Sequence, residues 1–170
     1  MTTSAEQSPK IQRRLKRDAF FFVIAATILI LDQFTKSLIR ANLPLGASFP
    51  QDGWVRLTHV ANTGAAFGLF PDQSLFLLVT TLVGVTAIVL YYLYPPLNTP
   101  VLTLSLGLQL GGALGNLIDR LRLGYVTDFV DFRVWPVFNV ADSSIVVGVA
   151  ILAWFAFMAD RQKPADSKTT

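Results

Sequence analysis

Five aspartates in this 170-residue chain stand where an aspartate is costly, among apolar, aromatic and β-branched residues. They are Asp32 in LDQFTK, Asp119 in GNLIDR, Asp128 and Asp131 in YVTDFVDF, and Asp142 in FNVADSS. Two carboxylates brought close together cannot both ionise easily. One then holds a proton near neutral pH while the other acts as a base. Such a pair can activate water against a peptide bond. The inventory leaves few hydrolytic alternatives, because the chain has no cysteine and a single histidine, His59. A thiol nucleophile and a histidine-rich zinc site are excluded, leaving His59 with a serine as the competing arrangement.

The surroundings of these residues read as membrane. Apolar residues make up 52% of the chain and Asp, Glu, Lys and Arg only 15%, against about a quarter charged in an ordinary soluble domain. About 20 apolar residues cross a bilayer as a helix, and four windows qualify: 19–39, 75–94, 101–118 and 140–159. No charge occurs between Asp72 and Asp119, so two spans lie there, reversing at Pro95, Pro96, Asn98 and Pro100. The basic residues before Ala19 followed by an apolar run resemble the start of a signal peptide. The run is too long for one and reads as a retained span.

Four spans put both tails on one side. Both are basic, with Lys10, Arg13, Arg14, Lys16 and Arg17 in one and Arg161, Lys163 and Lys168 in the other. The excess of positive charge places them in the cytoplasm. Arg120, Arg122 and Arg133 in the second outer segment count against that orientation. The expected organisation is a basic tail (1–18), a four-helix membrane domain (19–160) and a polar tail (161–170), with residues 1–9 and 164–170 disordered. The outer segments are 41–72 and 119–139. WVRLTHV (54–60) reads as a strand of a small outer sheet, with more extended structure possible through AAFGLF. The fold class is thus all-α membrane protein, four transmembrane helices with a small extramembrane β-sheet. No basic stripe with interleaved aromatics supports nucleic-acid binding.

Each polar group also has an ordinary structural explanation. Asp32, Lys36 and Arg40 are spaced i, i+4, i+8 on one helix face, and the simplest reading is an ion pair whose long side chains snorkel outward. Asp119 beside Arg120 reads as a charge pair at a helix end. Gly107, Gly111 and Gly115 form a small-xxx-small ladder suited to helix packing. Asn139 is a good N-cap for the fourth helix, which sets Asp142 in its first turn, where the helix dipole favours the ionised form. An ion-coupled carrier and a membrane assembly factor are the rival functions. Neither explains why the carboxylates gather at one membrane boundary, and no internal repeat points to a carrier.

In order along the chain, LDQFTK (31–36), ANTGAAFG (61–68), GGALGNLIDR (111–120), VTDFVDF (126–132) and FNVADS (138–143) resemble the bacterial lipoprotein signal peptidases, or signal peptidase II. The resemblance runs from about Ala19 to Phe157. It implies a metal-free aspartic endopeptidase of the inner membrane that needs no cofactor. The implied substrate is a diacylglyceryl-modified prolipoprotein held in membrane lipid, cut just before the lipidated cysteine, and the expected state is a monomer. It also implies that Asp128 and Asp142 are catalytic. Asn62, Gly64, Asn116, Arg120 and Asn139, with Asp32, Lys36 and Asp119, would bind substrate or support the site. A mobile lid after Asn62, with Gly64 and Gly68, is a further expectation. In an extended segment Asp128 and Asp131 point to opposite faces, so Asp131 would pair elsewhere.

Overall fold

A computed structural model describes residues 4–64, 73–95 and 99–161. Helix α1 (Ser4–Asn42) is followed by strands β1 (Ser48–Phe49) and β2 (Arg56–Asn62), helices α2 (Gln73–Leu93) and α3 (Pro100–Leu123), strand β3 (Val126–Asp131) and helix α4 (Val140–Arg161). All four helices are long and apolar enough to cross a membrane. The sheet has the order β1-β2-β3, antiparallel throughout. Its strands come from the α1–α2 and α3–α4 connections, so both connections lie at one end of the bundle. The α2–α3 reversal and the described tail residues lie at the other.

Three boundaries differ from those read in the sequence. The first helix begins at Ser4, so residues 4–9, expected to be disordered, belong to it together with the basic segment that follows. Helix α3 runs on to Leu123 and ends at Gly124, a left-handed C-cap with φ 79°. Asp119 and Arg120, expected where the outer segment begins, therefore lie within its last turns. The strand expected at 54–60 is β2 at 56–62, and its register with β3 sets Asp128 opposite Val60. The Pro96–Asn98 part of the reversal, the extension through residues 65–70, Gly68 and the tail from 162 onward lie outside the described residues.

Helix α3 is the central helix. About 72% of its most apolar stretch is buried, against 17% or less for the other three, whose apolar surfaces face outward as lipid requires. Small residues make this centrality possible. A Cβ at Gly111 would lie 2.6 Å from the Ala25 carbonyl oxygen of α1, and one at Gly115 would overlap the Asp32 carboxylate. Gly112 and Gly148 do the same work between α3 and α4, a second close face that the Gly107–Gly111–Gly115 ladder does not announce. Between these backbones Ser105 Oγ donates to the Gly148 carbonyl at 2.8 Å. At the tail end Phe21 stacks on Tyr92 with ring centroids 3.8 Å apart, and the Tyr92 hydroxyl donates to Asp18. Helix α2 is held least, and a cleft opens beside it.

Candidate active site

Asp128 and Asp142 reach the same place from different elements. Asp128 is carried by β3 and is 1% exposed. Asp142 sits in the first turn of α4, half-buried. Asn139 bridges them. Its side-chain oxygen accepts from the Asp142 backbone N–H at 2.9 Å, and its own N–H donates to Asp142 Oδ2 at 3.2 Å. This is the reciprocal cap that the Asn-x-x-Asp spacing allows. The remaining Asn139 amide donates to Asp128 Oδ1 at 2.6 Å. Capping and active-site roles are thus not alternatives here: one residue does both.

Asn116 of α3 completes the link. Its amide nitrogen donates to Asp142 Oδ1 at 2.7 Å, while its oxygen accepts from Asn139 at 3.2 Å. Asn62, at the end of β2, donates to Asp128 Oδ2 at 2.7 Å and accepts the Gly64 N–H at 2.8 Å. Gly64 has φ +76°, and a Cβ there would overlap Leu77 of α2. Its lack of a side chain is therefore required by the turn and by α2 packing. Both oxygens of Asp128 accept amide hydrogens, which favours the carboxylate. Burial acts more strongly the other way and, with the nearby charge of Asp142, pushes Asp128 up to about 6.

Beneath the pair lies a buried charge cluster. Lys36 is fully buried, and its ammonium group meets Asp32 Oδ2 at 2.9 Å, Asp119 Oδ2 at 3.2 Å and Asn116 Oδ1 at 2.9 Å. The expected outward snorkelling is corrected by this geometry: three acceptors meet the three hydrogens of the ammonium in the bundle interior. Each acceptor also leads to the site. Asp32 Oδ1 accepts the Ala141 N–H at 3.0 Å, Asp119 Oδ2 accepts the Thr127 N–H at 3.0 Å, and Asn116 holds Asp142. Lys36 thus fixes the residues next to both aspartates.

Asp119 does not pair with Arg120, contrary to the sequence reading. Neighbours on a helix do not face each other, and Asp119 turns to Lys36 and to Arg40 at 3.8 Å. Arg120 points to the opposite side. It donates to Thr81 Oγ1 of α2 at 3.3 Å, within electrostatic reach of Asp142 and Asp128. There it lines a cleft of about 480 Å³ between α2, α3 and α4, polar at Asn116 and Arg120 and apolar at Ile88, Ala113 and Ile145. Asp131 is engaged elsewhere. It accepts from Thr58 at 2.7 Å, Arg56 at 2.5 Å and the Arg133 N–H at 2.7 Å. These donors hold its carboxyl at about 2. His59 Nδ1 lies 2.8 Å from the Leu43 carbonyl oxygen. No serine hydroxyl bonds it among the described residues.

Sequence reasoning passed over Thr127 and Gln33. Thr127 receives Arg40 at 2.9 Å through its hydroxyl. The Gln33 amide bridges Asp32, Asp119 and the Gly115 carbonyl at 3.1–3.2 Å. An uncharged polar residue beside Asp32 in a span was the available signal for Gln33. Nothing in the sequence singled out Thr127.

A family model described as signal peptidase (SPase) II matches residues 24–158. The lipoprotein signal peptidase of Moorella thermoacetica is 52% identical over 136 residues, covering 79% of this chain and 90% of that protein. That of Pelotomaculum thermopropionicum is 44% identical over 145 residues, covering 85% and 95%. A bacterial membrane enzyme solved by the in meso method at 2.3 Å resolution aligns with a TM-score of 0.75 and 30% identity, covering 88% of this chain and 94% of that one.

Proposed function

The chain belongs to the signal peptidase II family, a membrane aspartic endopeptidase that removes signal peptides from lipoproteins, and from that premise we propose that Asp128 and Asp142 are its catalytic pair. The observation that carries this is the single asparagine, Asn139, hydrogen-bonded to both carboxylates. Asp142, at the positive end of the α4 dipole, is the ionised base. Asp128, raised to about 6 by burial, is the member that holds a proton more readily than an ordinary carboxyl and acts as the acid.

Asp142 removes a proton from water, whose oxygen attacks the scissile carbonyl as Asp128 donates to the carbonyl oxygen. As the tetrahedral intermediate collapses, one of its hydroxyls returns a proton to Asp128, the C–N bond breaks, and the leaving nitrogen takes the proton held by Asp142. The products are a carboxylate on the signal peptide and a free α-amino group on the mature lipoprotein. The bond cut is the one before the diacylglyceryl-bearing cysteine. Acyl chains held in the bilayer bring that bond to the boundary where the aspartates sit. The cleft beside α2 receives substrate, Arg120 and Asn116 contact its polar backbone, and Lys36, Asp32 and Asp119 position the pair. Gly64 shapes the turn that brings Asn62 to Asp128.

On this reading the sheet end faces outward from the bacterial inner membrane and both basic ends face the cytoplasm. The enzyme acts as a monomer, with a basic 1–18 segment and a polar 161–170 segment flanking the membrane domain. Purified protein is expected to cut a diacylglyceryl-modified prolipoprotein and to leave the unmodified precursor intact. Equal cleavage of both would remove the lipid from the account.

A further inference from the structure

At the end of the bundle opposite the sheet, the helical extension of α1 overhangs the α2–α3 reversal. Lys10, Arg13, Arg14 and Arg17 fall at i, i+3, i+4 and i+7, one face of the helix. The next residue on that face is Phe21, which packs on Tyr92 of α2. The cationic face is thereby aimed at the ends of α2 and α3 and walls a cavity of about 930 Å³. Lys16 joins it from the side. Phe20, Leu93 and Pro95 supply apolar wall, and the positive end of α3, which starts at Pro100, adds to the field.

Among the described residues the lining includes five cations and no acid. Arg17 is engaged by Asp18 at 3.0 Å and lies over the Tyr92 ring. Asp18 lies 3.9 Å from Arg14. Lys10 and Arg13 have no acidic partner among the described side chains, and both are exposed. We propose that this cavity binds the headgroup of an anionic phospholipid, its phosphate among Lys10, Arg13 and Arg14 and its acyl chains along Phe20 and Leu93. Charge complementarity selects the sign. The apolar wall, continuous with the lipid-facing surface of the helices, selects a lipid over a free anion. The family match begins at residue 24, so the whole of this cationic face lies outside it, and the site is independent of the peptidase chemistry.

The test is native mass spectrometry of the full chain in detergent, titrated with phosphatidylglycerol or phosphatidylcholine. Wild type is expected to retain phosphatidylglycerol selectively, with binding that weakens as salt rises. The K10Q/R13Q/R14Q variant is expected to bind it roughly a hundredfold more weakly, from the increment that each basic residue gives at an anionic surface. R13K/R14K, which keeps the charge, is expected to bind as wild type does. Prolipoprotein cleavage by the triple variant reports that it is folded, since the substituted residues lie at the opposite end from the aspartates. Equal retention of the two lipids, insensitivity to salt, or displacement by millimolar inorganic phosphate would each overturn the lipid site.

Discussion

Titrating Asp128 through its own pKa probes the site without substrate. Unfolded, this carboxyl titrates near the ordinary 3.8, and folded at about 6. Between those values the folded state binds more protons than the unfolded one, so stability falls as pH rises. The shift of about 2 units corresponds to roughly 3 kcal/mol, lost between about pH 4 and pH 7. Asp128→Asn removes the titration. It also sets an amide against the Asn62 or Asn139 donor, a pH-independent cost of about 1–3 kcal/mol. The diagnostic is therefore the difference between the two stability curves and not their absolute height. Thermal unfolding in detergent, followed by tryptophan fluorescence from about pH 4 to pH 8, gives both curves. For a chain of this size the wild type should lose roughly 6–12 °C more than the variant across that range. Parallel curves would mean that Asp128 is not the buried, proton-holding member of the pair.

Two further substitutions separate the residues around it. Lys36→Met leaves Asp32 and Asp119 buried without their ammonium partner. It should cost about 3–5 kcal/mol, read by thermal unfolding, and depress cleavage in whatever fraction folds. Asp131→Asn should leave prolipoprotein cleavage within a fewfold of normal while weakening the β2–β3 pairing. Because the Asp131 carboxyl is held at about 2, below its unfolded value, its stabilisation is present above about pH 4 and lost as pH falls towards 2. Stability curves of this variant and wild type should therefore converge in acid.

The four spans were legible because a hydrophobic run of fixed length is a local property, and proline punctuates it. Helix ends were less so. The sequence ended the third span at Ile118, just before the charge of Asp119, yet that charge is neutralised across the bundle and the helix continues to the left-handed Gly124. The candidate site was legible as a set of polar residues in the wrong solvent, and the Asn-x-x-Asp cap at Asn139 and Asp142 could be read from spacing alone. Its wiring was not. Whether Lys36 snorkels or turns inward depends on how α1 is rotated against α3, which the Gly107–Gly111–Gly115 ladder permits but does not dictate. That Asp119 prefers Lys36 to the adjacent Arg120, or that Thr127 receives Arg40, follows only once three elements meet. Asp128 and Asp131 were separable because strand alternation is local. Arg56 as the partner of Asp131 needed the register of β2 on β3.

The most direct test of the central claim is single-turnover cleavage of a diacylglyceryl-modified prolipoprotein by wild type, Asp128→Asn and Asp142→Asn, each shown to be folded. The two-aspartate account predicts that each substitution alone lowers the rate by roughly a thousandfold or more, and that the double variant is little worse than either, because the two carboxylates act as one unit. Near-normal turnover by either folded single variant would contradict it.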